Sequence, residues 1–320
     1  MNWPFPKNVL AVDYSEKIMR VARARYFFGD LSITFESEIF SEDTEVRKEA
    51  LKDLRFEPED IVVTSIGSGM ILYMDMDVPP NLKRKVLMNV GRVEAARVMG
   101  IPVENISVYP LGLIANKCLF AVVKLSDIET WVVERLKELG LPEPDVVIPD
   151  SLKYLYDTSI PTHGNILYIV VNFFRDYVSN ILVVGSQIVG VRNISTNLSG
   201  VFEVVNNRFG ITMEELSKME DLRSLREVED FLKEGFVDLA LEINREVLSL
   251  LRSAIIEIPQ ENLDLVVLIT DPHSLSFPLS FALSEAVGMK ATVEKVKAIE
   301  GLLKRGGLEF GRVKSVHKKS

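Results

Sequence analysis

Two segments of this chain end an apolar run in a side chain suited to metal or phosphate chemistry, and each then makes a tight turn into a second apolar run. The first is Val9-Leu10-Ala11-Val12-Asp13-Tyr14-Ser15-Glu16-Lys17-Ile18, and the second is Ile169-Val170-Val171-Asn172-Phe173-Phe174-Arg175-Asp176-Tyr177-Val178. A carboxylate at a strand end, such as Asp13, is the type of group that holds Mg²⁺ through its water shell. Hydroxyls such as Ser15 and Ser179 would add contacts to a bound phosphate. Gripping a phosphate also takes successive backbone N–H groups at close approach, which is why such turns are rich in glycine. Neither turn contains one. Ser15 and Phe174 stand where glycine is expected, Glu16 sets a negative charge against the phosphates, and Phe173-Phe174 fill the space they need. Asn172 cannot act as a base or hold a metal-bound water as a carboxylate does, so a Mg²⁺-ATP site would rest on Asp13 alone. The plainer role for Asp13 is a turn-forming residue that caps its hairpin.

Other candidates are weaker. His273 follows Asp271-Pro272, a pairing that suits a general base and equally suits a turn before a helix. His163, beside Gly164, reads as a loop residue. Three scattered histidines and the single Cys118 give neither a metal site nor a disulfide framework. Met70, Leu72, Met74, Met76 and Val78 fall on one face of a strand, with Tyr73, Asp75 and Asp77 on the other. That apolar face either packs beneath the following helix or adapts to an apolar peptide from a partner.

Positioning these residues is the task of a folded chain of 320 residues, 47% hydrophobic and 26% charged, for which two domains are the natural expectation. A formal net charge of -9 argues against a general nucleic-acid binder, which would show a basic face. The basic stretch Lys314 to Lys319 reads as a solvated terminus, with contact to anionic lipid as the alternative. Residues 1–7 lack the basic region and apolar core of a signal peptide, so none is expected, and the uncharged run from Tyr177 to Val191 is too short to span a bilayer. A reducing cytoplasm is expected, with any membrane association made through a partner.

The pattern predicts three meandering strands, Val9–Asp13, Ile18–Tyr26 and Leu31–Ile39, a helix over 42–54 and a strand over 61–66. A β-α-β-β unit follows, built on the methionine strand, a helix over 82–99 with Leu82, Val86, Val90 and Val93 at helical spacing, and strands over 106–111 and 119–123. A helix over 127–139 and a strand over 145–148 lead to a hinge between 150 and 164. The second half repeats the theme with strands over 166–172, 177–184 and 187–194. After them come a helix beyond Gly200, one long helix from about Val228, a strand over 263–269, a helix over 275–287 and a strand from Ala291. The expected division is a first domain of 1–69 and 124–160, an insertion of 70–123, a second domain of 161–300 and a tail of 301–320.

With these motifs the chain resembles the PilM family of type IV pilus assembly proteins and, more distantly, FtsA and the cytoplasmic domain of the type II secretion protein GspL. The family's Asp-x-Gly-Ser-Ser hairpin lines up with Asp13-Tyr14-Ser15-Glu16-Lys17. Its Glu-Ala and following Pro-containing turn line up with Glu94-Ala95 and Pro102-Val103-Glu104. Glu138-Leu139-Gly140-Leu141-Pro142 and Leu198-Ser199-Gly200 match two further family segments. Departures fall where the family binds nucleotide, at Asp13 to Lys17, at Asn172-Phe173-Phe174 and at Thr270-Asp271-Pro272-His273. The resemblance implies an α/β, actin-like (ribonuclease H-like) fold of two domains with duplicated mixed sheets and a small inserted β-α-β-β subdomain. It implies a pseudo-ATPase scaffold for a pilus or type II secretion-like machine, with Asp13, Ser15, Asn172, Ser179 and Asp271 as the remnants of nucleotide loops. It also implies a PilN-like inner-membrane partner whose short N-terminal tail binds beside the insertion, where Met70, Leu72, Met74 and Met76 are the candidates. A divergent ATPase that keeps ATP and Mg²⁺ through Asp13 is the alternative; a sugar or acetate kinase relative ranks last, because its catalytic carboxylate and phosphate loop are not found.

Overall fold

The computed structural model describes residues 7–14, 18–27, 30–79, 82–114, 116–155, 166–173, 177–184, 187–196, 198–212, 215–216, 219, 225–255, 264–271 and 276–307. Ser15, Glu16, Phe174, His163, His273, most of the expected hinge and the basic tail lie outside the described residues. The chain divides into two compact units, one of Met1–Ile71, Val123–Asp157 and Lys297–Ser320, the other of Leu72–Val122 and Thr158–Val296.

In chain order the elements begin β1 (Lys7–Asp13), β2 (Met19–Phe27), β3 (Asp30–Ile39), α1 (Thr44–Ala50) and β4 (Ile61–Ile66). Next come β5 (Leu72–Asp77), α2 (Arg84–Met99), β6 (Ile106–Ile114) and β7 (Lys117–Lys124). Helix α3 (Leu125–Ile128) passes through a π-helical turn (Glu129–Val133) into α4 (Glu134–Glu138), followed by β8 (Val146–Pro149) and α5 (Asp150–Lys153). The rest is β9 (Ile166–Phe173), β10 (Tyr177–Val184), β11 (Gln187–Ser195), α6 (Leu198–Phe209), α7 (Arg226–Gly235) and α8 (Val237–Ile255). Strand β12 (Asp264–Asp271), α9 (Ser276–Val287), β13 (Ala291–Lys295) and α10 (Ala298–Gly307) complete it.

The first unit holds a sheet of order β3-β2-β1-β4-β8, antiparallel among the first three strands and parallel from β1 to β8. Alternation along β1 and β2 divides their side chains between two layers. Leu10, Val12, Met19 and Val21 meet Val132, Leu136, Leu139 and Leu141 on one face. Val9, Ala11, Ala22 and Ala24 meet Ile299, Leu302 and Leu303 of α10 on the other. The alanines let α10 approach closely, and burying its three large side chains contributes about 1.5–3 kcal/mol each. Asp43 caps α1, its Oδ1 accepting from the N–H groups of Glu45 at 2.8 Å and Val46 at 3.2 Å.

The second unit repeats the pattern in a sheet of order β11-β10-β9-β12-β13, with the same succession of antiparallel and parallel pairs. Val178 and Leu182 of β10 pack with Phe202, Leu232, Phe236, Ile243, Val247, Leu250 and Leu283. The insertion adds a sheet of order β5-β7-β6 under α2. It belongs with the second sheet: a Cβ on Gly112 of β6 would stand 2.3 Å from the Ile188 carbonyl oxygen, and Leu113 N–H donates to Gln187 Oε1 at 3.1 Å. Backbone contact that close admits only glycine.

Four expectations are corrected. The helix expected from Val228 is two helices, broken at Gly235-Phe236, although the apolar rhythm runs straight through with Leu232, Phe236, Ile243 and Val247 all buried. Helix α2 seats itself on Leu87, Gly91, Ala95 and Ala96, not on the row Val86, Val90 and Val93, and at position 91 only glycine clears the Phe120 ring. Residues 298–307, expected to straddle the end of the second domain and a tail, form a helix of the first unit. The methionine strand starts at Leu72; Met70 sits in a 3-10 turn and packs with the first unit's core.

Candidate functional site

Asp13 ends β1 and is wholly buried. Its cross-strand partner is Arg20 on β2, while Ser65 on β4 and Lys153 at the end of α5 reach it from the parallel side of the sheet. Lys153 Nζ donates to Asp13 Oδ1 at 3.0 Å and to Oδ2 at 3.3 Å, and its side chain is fully buried. Arg20 Nη1 stands 3.5 Å from Oδ2 while its Nε holds Glu38 at 2.7 Å. Ser65 Oγ donates to Oδ1 at 3.4 Å. Both carboxylate oxygens are therefore engaged, with two cations within reach of one anion.

The surroundings fix this arrangement. Thr64 Oγ1 donates to Val12 O at 2.7 Å, Lys153 Nζ lies 5.1 Å from the centre of the Tyr154 ring, and Ser68 Oγ donates to the buried Asp150 at 2.7 Å. Tyr14, next to Asp13, is tied to Arg135 O at 3.4 Å and lies under the Arg47 guanidinium at 5.2 Å. Burial pushes the Tyr14 phenol up, against the opposing pull of Arg47.

This donor set does not fit a Mg²⁺ ion at Asp13. A hydrated Mg²⁺ needs carboxylate oxygens that accept from its waters, and here an ammonium already takes them. A dication brought beside a buried ammonium and a guanidinium would meet repulsion in a poorly screened interior.

The second strand-turn-strand has the same backbone register. Asn172 of β9 pairs with Ser179 of β10 and with Thr270 of β12, while Asp271 ends β12. Ser179 and Asn180 are fully buried, and among the described residues neither the Ser179 hydroxyl nor the Asn180 amide finds a hydrogen-bond partner. The structure thus brings together Asn172, Ser179 and the strand carrying Asp271 within one sheet, and sets Asp13 in another. Of the candidate partner residues, Leu72, Met74 and Met76 are half-buried and pack with the insertion's core, apart from Met70.

One cavity of the second unit, walled by Asp75, Lys117, Cys118 and Arg192 among others, encloses about 60 Å³. Small-molecule sites fill roughly 300–1,000 Å³, so a nucleotide is out of scale there. Burial pushes the Cys118 thiol up to about 12, which makes it unreactive. Among the described residues no group of acidic, histidine or cysteine side chains could hold a metal ion.

No protein-family model matches the chain, and no curated protein matches its sequence. Solved structures do. A chain of the PilM-PilN type IV pilus biogenesis complex superposes with a TM-score of 0.62 at 17% identity, covering 92% of this chain and 89% of that one. The fold is the actin-like one. The cytoplasmic domain of EpsL, an inner-membrane component of the type II secretion system of Vibrio cholerae, gives 0.47 at 14% identity, covering 96% and 97%. A Bacteroides thetaiotaomicron protein with an actin-like ATPase fold gives 0.47 at 12%, covering 93% and 96%.

Lys153, Arg20 and Ser65 are the residues that sequence reasoning missed. Lys153 was counted in a hinge, and its approach to Asp13 across 140 positions depends on the β1-β4-β8 strand order.

Proposed function

We propose that this chain is a non-catalytic, PilM-like adaptor of a type IV pilus or type II secretion-like machine. The observation that carries the reading is Lys153, which occupies both oxygens of the one carboxylate on which a Mg²⁺-ATP site would rest. Glycine-free turns and the amide at Asn172 support it from the sequence, and the likeness to the PilM–PilN complex supports it from the fold. The adaptor works by binding, without turnover, and takes the short N-terminal tail of a PilN-like inner-membrane protein. No helix among the described residues is long and apolar enough to cross a membrane; the proposed place is the cytoplasmic side of the inner membrane, reached through that partner.

Thermal unfolding with and without excess Mg²⁺-ATP tests the first half. A ligand at a hundred times its Kd adds about 2.7 kcal/mol, which a melting curve resolves. No shift at millimolar nucleotide is expected; a clear rise would favour the divergent-ATPase alternative. Titration with a synthetic peptide from the cytoplasmic N-terminus of a PilN-like protein of the same organism tests the second half. Saturable binding is expected, and its absence would remove the partner from the proposal.

A further inference from the structure

Helix α8 is apolar on more than its buried side. Ala240, Ile243, Val247 and Leu250 are buried in the core of the second unit. Val237, Leu241 and Leu248 point elsewhere and are 39%, 49% and 44% exposed. At about 100° per residue, Leu248 and Leu241 stand roughly 20° and 40° round the helix from Val237, a narrow strip whose middle is about 120° from the centre of the buried row. Arg252, Arg245 and Asp238 border the strip at roughly 60°, 80° and 100°, and all three are exposed. Strip and charges together make one face that looks away from the core. A single exposed leucine is ordinary on a protein surface. Here two leucines and a valine align along a single helix with charges of both signs beside them.

The order of those charges says what fits the face. Asp238 lies in the first turn of α8 and Arg252 in the last, and among the described residues neither has an ion-pair partner. Arg245 between them is already neutralised, its Nη2 donating to Glu242 Oε1 at 3.2 Å and its Nε standing 3.5 Å from Glu246 Oε1. We propose that this face docks on the same face of a second copy of the chain, with the two α8 helices antiparallel about a two-fold axis at Asn244-Arg245. That axis sets Leu241 of each copy on Leu248 of the other. It also sets Asp238 of each copy beside Arg252 of the other, because both pairs of positions are equidistant from it to within half a residue. Symmetry makes every contact twice, and the helix dipoles oppose favourably. Parallel pairing is a poor alternative, since it sets Asp238 on Asp238 and Arg252 on Arg252. A lipid surface is a poor occupant too: the strip has no aromatic side chain, and Asp238, Glu242 and Glu246 would repel anionic headgroups. The proposal is independent of the chemistry at Asp13, which lies in the other unit.

Sedimentation velocity of the full chain over a range of concentrations is the test, at about 0.15 M salt so that the net charge of -9 is screened beyond about 8 Å. A face this small makes a weak dimer, so a monomer–dimer equilibrium with a Kd below about 100 µM is expected. Leu241→Glu should raise that Kd at least about tenfold. Val93→Glu, on the exposed side of α2, should leave it unchanged. The deciding arm uses charge. Asp238→Arg alone faces arginine with arginine, and Arg252→Asp alone faces aspartate with aspartate, so each variant should dimerise at least about tenfold more weakly. Mixed in equal amounts they should form a heterodimer of about wild-type affinity, because both ion pairs are then restored with their signs exchanged. All four substitutions are at exposed positions, and melting midpoints equal to that of the unaltered chain confirm that the variants are folded. A chain that stays monomeric at about 100 µM would overturn the proposal. So would a dimer indifferent to Leu241→Glu, or two charge variants that fail to recombine on mixing.

Discussion

The two sheets share one topology and differ at the ends of their central strands. In the first, Asp13 faces Arg20 across the antiparallel ladder and receives Lys153 from beyond the parallel neighbour. In the second, Asn172 faces Ser179 across the equivalent ladder, a pairing of neutral residues. A duplicated strand order therefore does not carry a duplicated chemistry. The order is set by which strands are apolar on both faces, and that pattern survives any exchange of the one polar residue at a strand tip. Keeping a carboxylate buried at Asp13 requires a compensating cation, whereas an amide makes no such demand.

The largest expected effect follows from that requirement. Lys153→Met leaves Asp13 buried with its closest cation gone, and should cost about 3–5 kcal/mol in urea unfolding. Asp13→Asn combined with Lys153→Met should recover most of the loss, because the anion and cation are removed together. A single-variant loss below about 1 kcal/mol would mean that the pair does not hold the strand end, and the contrast between the sheets would fall.

A second ion pair sharpens the contrast through pH. Arg23 of β2 donates to Asp60 from Nε at 2.7 Å and from Nη2 at 3.0 Å, and Glu57 N–H adds a bond at 3.1 Å. Burial alone would raise the Asp60 carboxyl, but the Arg23 and Glu57 hydrogen bonds outweigh it and hold the group below its ordinary 3.8. The folded state then binds this proton less readily than the unfolded one. The stabilisation is fully present above the ordinary value and is lost as pH falls through the lower, folded one. Asp60→Asn should cost about 2–3 kcal/mol at pH 7 and flatten the acid limb of the stability curve measured from pH 7 to 2. An unchanged acid limb would place the acid sensitivity elsewhere.

Much of this fold was legible because strands betray themselves by local pattern. The expected 9–13, 18–26, 31–39 and 61–66 lie within a residue or two of β1 to β4. Helix faces were less legible. The valines of α2 satisfied a helical period as well as the residues that are buried, and nothing local says that the sheet below needs glycine at 91 against Phe120. Similarly, the stripe through Leu232, Phe236 and Ile243 gives no sign of the break at Gly235, because Phe236 stays buried on both readings. Asp13 was visible as a strand-end carboxylate; its neutralisation was not. Lys153 is an unremarkable lysine in sequence, and only the order β1-β4-β8 carries it to Asp13.

The smallest effect discriminates most finely, because it applies one chemical change to both sheets. Ser65 donates to Asp13 at 3.4 Å, whereas the buried Ser179 hydroxyl has no hydrogen-bond partner among the described residues. Ser65→Ala removes a bond to a charged group and should destabilise by about 0.5–1.5 kcal/mol. Ser179→Ala removes a desolvated hydroxyl with no partner among the described residues, so it should be neutral or stabilising by up to about 1 kcal/mol. The sign of the difference in urea unfolding is the readout. If Ser179→Ala cost as much as Ser65→Ala, a polar network would exist at the second strand end too. The two ends would then differ in charge alone, and the loss of chemistry would have to be argued from Lys153 without support from the second sheet.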